Sequence, residues 1–369
     1  MGIDRQFVSL ESPTQGRAGA GGRPCQGVYH APSSGRPSTA VIANHYNIDF
    51  SEHYLAEHLA ARGVGFLGWN TRYRGNEAYF LVEHAVVDIG QGVRWLREEA
   101  GVETVVLLGN SGGGSLMAAY QSQATEANLR PTAGLKLPEA ALDLPAGDLY
   151  VSLNAHLGRP DVLTAWMDPS VTDERDPLSV DPALDMFDPA NGPPYSADFV
   201  TRYRAAQVTR NNRITDWAKG EIVRLGDAGA WDRLFTVDRV WADLRFLDLG
   251  LDPSERPVGC YLGDARKANL GPFGIGRTNT LRSWLSMWSL AESQCRAEPH
   301  LARIRVPSLV VQSLGDSGVF PSDAQAMFDA IGSDDKVLEL PPGDHYFQHH
   351  GSRDELANLI TSWVGSKGA

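Results

Sequence analysis

Three residues far apart in the chain could do nucleophilic chemistry together. Ser111 stands in Gly109-Asn110-Ser111-Gly112-Gly113, a G-x-S-x-G pattern that follows the apolar run "TVVLL" and precedes the small-residue segment "GGSLMAAY". A serine on so sharp a strand-to-helix turn presents its hydroxyl at a helix start, where free N–H groups and the helix dipole favour negative charge. Composition alone produces the pattern in about one chain in four of this length, so its setting carries the weight. A serine hydroxyl is a poor nucleophile near neutral pH and needs a base, which in turn needs an orienting acid. Asp316, in "QSLGDSGVFPSDA", and His345, in "LPPGDHYF", each follow an apolar run that predicts a strand. The chemistry open to such a trio is acyl transfer by attack on a carbonyl, with the Gly112 N–H as one donor to the developing oxyanion.

Residues this distant meet only if the elements between them bring their loops to one edge. The runs "STAVIAN" (38–44), "GVGFLGW" (63–69), "TVVLLGN" (104–110), "DLYVSLN" (148–154), "VPSLVVQSL" (306–314) and "KVLEL" (336–340) predict strands buried on both faces. The more alternating "RQFVSLES" and "CQGVYHA" predict an antiparallel pair at the sheet edge. Helix-like segments between these strands predict an α/β fold with a doubly wound, mostly parallel sheet. Two of those helices are expected to open on capping boxes, Asp49 with Glu52 and Ser322 with Gln325. In a parallel sheet successive strands end at the same edge, so Asp316 and His345 are expected to emerge beside Ser111. The rhythm breaks between residues 156 and 300, where Asp-Pro recurs at 168, 176, 181 and 188. "FVTRYRAAQVTRNNRITDWAKGEIVRL" and "TNTLRSWLSMWSLAESQ" then read as helical, the second with Leu281, Leu285 and Trp288 on one face. The expected division is a core over 1–155 and 301–369, interrupted by a mainly helical insertion over 156–300.

The motifs G-N-S-G-G, G-D-S-G-V-F-P-S-D and G-D-H, in the order Ser, Asp, His, resemble those of the α/β-hydrolase fold family. That resemblance covers the alternating core and implies Ser111 as nucleophile, His345 as general base and acid, and Asp316 as the residue orienting His345. It also implies a second oxyanion donor from the loop after the third strand, here Asn44-His45-Tyr46-Asn47, where Tyr46 occupies the usual glycine position. Whether Tyr46 or Asn47 donates is left open by the sequence. The family's large helical insertions implicate residues 156–300 as a cap over the substrate. The implied activity is hydrolysis of a carboxylic ester or related small acyl substrate, with no cofactor. Carbon–carbon bond hydrolysis of a β-diketone-like substrate would use the same trio, and a non-catalytic ligand-binding protein would share the fold.

Other residues compete for these roles. His45 and Asn110 adjoin the loops in question, and Arg72 and Arg74, after a core strand, could pair with an anionic substrate group, although a solvated or structural arginine is commoner. Asp323 also lies near a strand end, but as a first-turn helix acid it ranks below Asp316. His345, His349 and His350 lack the spacing of a metal site. The "GDSG" at 315–318 lacks the surroundings of a chymotrypsin-like nucleophile. A net charge of −12 opposes nucleic-acid binding, and no apolar run is long enough to span a membrane. Cys25, Cys260 and Cys295 form no framework, so a cytoplasmic chain is expected, and a homo-oligomer is compatible with it.

Overall fold

The computed structural model describes residues 2–14 and 23–368. Its strands are β1 (Ile3–Leu10), β2 (Cys25–Pro32), β3 (Thr39–Asn44), β4 (Gly65–Asn70), β5 (Thr104–Asn110), β6 (Leu149–Leu153), β7 (Leu234–Thr236), β8 (Thr278–Thr280), β9 (Ser308–Val311) and β10 (Lys336–Glu339). Eight of them form one sheet in the order β1-β2-β4-β3-β5-β6-β9-β10, while β7 and β8 pair separately. The alternating β1 and β2 run antiparallel at one end, as their patterning predicts, and the remaining strands are mutually parallel.

The strict period of two divides each central strand between two cores. Val41, Ala43, Val106, Leu108, Val151 and Leu153 face one layer, which also holds residues of α1 (Ala56–Ala60) and α10 (Ser352–Ser366). Ala40, Ile42, Val105, Leu107 and Tyr150 face the other, with residues of α2 (Val82–Glu98), α3 (Gly113–Thr125) and α9 (Pro321–Ala330). Register then decides what meets at the carboxyl edge. Asn44 is level with Gly109, Asn110 with Leu153, Leu153 with Val311, and Val311 with Glu339. The loops after β3, β5, β6, β9 and β10 therefore leave the sheet along one line.

Between β6 and β9 the chain runs through α4 (Arg159–Trp166), the 31-residue α5 (Ala197–Asp227), α6 (Ala265–Leu270), α7 (Leu281–Ser283) and α8 (Glu298–Leu301). Asp168 anchors part of its interior, accepting from Arg239 at 2.5 Å, from Asn269 at 2.7 Å and from Ser170 at 2.6 Å. The Asp-Pro segment forms only a short 3₁₀ turn, Pro182–Leu184, consistent with restricted backbone before each proline.

Three local expectations need correction. Asp49 does not cap α1, because its Oδ1 accepts from the Ser51 N–H and from Asn70 Nδ2, and the helix begins only after Leu55. The α9 start belongs to Pro321 and to Asp323, whose Oδ2 accepts the Phe320 N–H, while the Ser322 hydroxyl bonds Asp252 instead. The second long helix expected in the insertion is short. Thr280 and Ser283 open it, a π turn over Trp284–Trp288 follows, and Asn211 then takes the Trp288 carbonyl and the Leu290 N–H that would have continued it.

Candidate active site

Ser111 has φ +56°, a left-handed conformation that is costly for a side-chain-bearing residue and persists only where surroundings enforce it. Its N–H bonds the Leu153 carbonyl at 2.9 Å. The flanking glycines are required by close approach. A Cβ on Gly109 would lie 2.4 Å from the Gly113 carbonyl oxygen, and one on Gly113 would lie 2.1 Å from that of Asn44. Strand, turn and neighbouring loop thus touch through backbone.

Asp316 and His345 are brought together. His345 Nδ1 donates to Asp316 Oδ2 at 2.5 Å, with 4% and 1% of the two residues exposed. The other carboxylate oxygen is saturated: Oδ1 accepts from the N–H groups of Gly318 and Val319, at 2.9 and 3.1 Å, and from the Tyr261 hydroxyl at 2.7 Å. Tyr261 comes from the segment between β6 and β9, and its oxygen also lies 2.9 Å from His345 Nδ1. Gly318 makes room for it, since a Cβ there would meet the Tyr261 ring at 2.3 Å. The sequence gives no signal for Tyr261, because its role depends on a tertiary approach across 55 positions.

One amide ties the loops together. Asn154, at φ +42°, donates from Nδ2 to the His345 carbonyl at 3.0 Å and accepts the Ser313 N–H on Oδ1 at 2.8 Å, while its own N–H reaches the Val311 carbonyl. It directly follows Leu153, the residue holding the Ser111 N–H. A strand-ending asparagine was a readable clue to a left-handed turn, but not to those partners. Neither the Ser111 hydroxyl nor His345 Nε2 has a hydrogen-bond partner among the described residues, so both remain unengaged.

The loop after β3 lies against the strand-to-helix turn at Ser111, the elbow between β5 and α3. His45 Nδ1 accepts the N–H groups of Asn47 and Ile48 at 3.3 and 3.2 Å, which assigns the proton of the neutral ring to Nε2. Burial, reinforced by Arg159, His156 and His345, holds its pKa well below the usual histidine value. His45 Nε2 would be 2.9 Å from a Cβ on Gly112, as would the Arg159 guanidinium carbon. With the Asn47 N–H engaged, the Tyr46 N–H is the one in this pair without an acceptor among the described residues. The Tyr46 hydroxyl lies 3.0 Å from that of Ser115.

The remaining candidates lie elsewhere. Asn110 turns into the sheet, donating to the Leu153 carbonyl at 2.9 Å and meeting His53 at 3.1 Å, so it does not serve as the expected substrate contact. Arg72 is likewise a correction: it is buried against Asp88 and also donates to Ser12 and Thr14. Arg74 pairs with Asp49 at 3.3 Å on the surface. Beside the site a cleft of about 690 Å³ is bordered by His156, Gly318 and Asp323. No group of three or more potential metal-ligating side chains occurs among the described residues, and no helix there is long and apolar enough to cross a membrane.

No protein-family model matches the chain, and no curated protein sequence does. Solved structures match over nearly its whole length. The α/β-hydrolase GrgF from Penicillium sp. sh18 is similar at a TM-score of 0.53 and 12% identity, with 98% of each chain covered. DcsB, solved in complex with its substrate analogue, is similar at a TM-score of 0.53 and 12% identity, covering 98% of this chain and 99% of that one. The chain has the α/β-hydrolase fold. Within that fold the elbow, the loop after β3 and the loops after β9 and β10 occupy the carboxyl edge of the sheet, where open α/β sheets bind their ligands.

Proposed function

We propose that the chain is a serine hydrolase acting on a carboxylic ester or related small acyl substrate. The observation that carries this reading is the buried Asp316–His345 hydrogen bond on the same sheet edge as a strained, solvent-reachable Ser111. Ser111 Oγ attacks the carbonyl carbon while His345 Nε2 takes its proton. Asp316, held by four donors, keeps His345 Nδ1 protonated and the ring oriented. The N–H groups of Gly112 and Tyr46 stabilise the oxyanion, the free state of the Tyr46 donor supporting it over Asn47. His345 returns the proton to the leaving alcohol, then activates water to release the acid from the acyl-enzyme. The segment 156–300 acts as the cap and supplies Tyr261 to the acid and base.

The test is intact mass after exposure to a fluorophosphonate, with turnover of short-chain p-nitrophenyl esters and of β-diketones measured alongside. One adduct on the native chain, lost in Ser111→Ala and much slower in His345→Ala, together with ester turnover, is expected. An unmodified native chain without turnover of either substrate class would sink the reading in favour of ligand binding.

A further inference from the structure

A cation without a contacting counter-ion lies against the turn that carries Ser111. Arg159 is 3% exposed, and no carboxylate of the described residues lies within ion-pair distance of it. Its Nε has no hydrogen-bond partner, and Nη2 makes one long bond, 3.3 Å, to Asn47 Oδ1. The guanidinium is flanked by the Tyr46 ring at 4.7 Å and the Trp288 ring at 5.2 Å. Other buried arginines are differently served. Arg72, Arg210 and Arg239 each hold a carboxylate, and Arg256, also lacking one, spends its nitrogens on the carbonyls of Arg245, Leu251 and Asp252. Even in the neighbouring cleft Arg204, Arg245 and Arg296 are paired with aspartates.

A guanidinium cannot shed its proton, so burying it unpaired is a standing cost that a bound anion would relieve. No carboxylate of the described residues reaches the guanidinium to do so. Glu77 attracts Arg159 across a gap but does not touch it, because Asn47 stands between them and donates to Glu77 Oε2 at 3.1 Å, while Glu77 Oε1 is taken by the Gly276 N–H. Burial pushes the pKa of the Glu77 carboxyl up and those of the His45 and His156 rings down, so the desolvation that burdens Arg159 is shared by every titratable side chain around it. Position decides where the missing anion would come from. The guanidinium carbon would be 2.9 Å from a Cβ on Gly112, the residue next to Ser111.

We propose that Arg159 binds a carboxylate carried by the substrate, so that this site selects esters bearing an anionic group within a few bonds of the scissile carbonyl. The planar fork of the guanidinium, held between two aromatic rings, suits bidentate carboxylate binding. This assignment of substrate class rests on the hydrolase reading.

The test compares matched substrates: p-nitrophenyl hemisuccinate against the butyrate, the hemiglutarate against the valerate, and, for a charge on the alcohol side, O-butyryl glycolate against ethyl butyrate. The expected result is an anionic-to-neutral ratio in kcat/KM of about 10 to 100 in at least one pair. That ratio falls to near one in Arg159→Met and is partly retained in Arg159→Lys. A ratio near one or below in every pair, with neutral esters turned over, overturns the proposal, as does a preference that survives Arg159→Met. Should no ester be hydrolysed and no phosphonate adduct form, the hydrolase reading fails by itself. The anion site is then decided on the native chain by thermal shift, where succinate or glutarate raises Tm and the matching diamide does not. No shift with either dicarboxylate overturns it. The same measurement decides the matter if Arg159→Met does not fold.

Discussion

At the scale of single residues, the decisive feature is how many donors converge on Asp316. Removing one from a buried carboxylate costs more than a neutral hydrogen bond, and in the proposed mechanism the loss falls on the group that orients the base. Tyr261→Phe keeps the ring and deletes only its hydroxyl, so kcat should fall about 10- to 100-fold with little change in KM, measured on a p-nitrophenyl ester. A second residue makes a prediction about pH. Burial lowers the pKa of His53 to about 4, against 6.5 for the free side chain. The unfolded chain therefore binds more protons than the native one between those values, and native stability falls as pH drops from about 6.5 toward 4. The contribution is on the order of 3 kcal/mol over that window. The buried carboxyls Glu77 and Glu83, whose pKa values are raised, act in the opposite sense, so the comparison must be with His53→Gln. Chemical denaturation at pH 7 and pH 4.5 should show a smaller loss for the variant. Arg72 and Asn110 show why residue roles resist reading from sequence. Both sit beside the expected loops, yet Arg72 is claimed by Asp88 and Asn110 by the carbonyl at the end of the adjoining strand.

Elements explain what was legible. The eight-stranded sheet follows from apolar runs and turn residues, and the pairing of Asp316 with His345 follows from strands that end level with one another. Tyr261, Asn154 and Arg159 were not readable in this way, because each acquires its role from an approach between segments with no shared pattern. Helix starts depart from the capping pattern in the sequence where a nearby acid has a better partner, as at Asp49. The elbow offers a test at this scale. Gly113→Ala would press a Cβ to 2.1 Å from the Asn44 backbone carbonyl, which has no side-chain freedom to retreat. A loss of about 1–3 kcal/mol in urea unfolding is expected. At Gly318 the obstructing atoms are instead those of Tyr261. Gly318→Ala should lower kcat at least as much as Tyr261→Phe does, yet cost little on a Tyr261→Ala background. Additive losses in that cycle would contradict the steric account.

For the molecule as a whole, the segment between β6 and β9 has its own charged interior, in which Asp168 neutralises Arg239 and also holds Asn269 and Ser170. Asp168→Ala strands a buried guanidinium and should cost about 3–5 kcal/mol, visible as a lower Tm. Because α4 carries Arg159 and the same segment carries Tyr261, such damage should also reach turnover, even though Asp168 belongs to neither loop of the candidate site. The contact between Tyr261 and the Asp316–His345 pair has a practical consequence for anyone dismantling or recombining this chain. The sheet layer cannot be treated as a finished engine to which any cover is fitted. A trimmed version lacking the segment, or a chimaera wearing another, would arrive with its Asp316–His345 pair one support short.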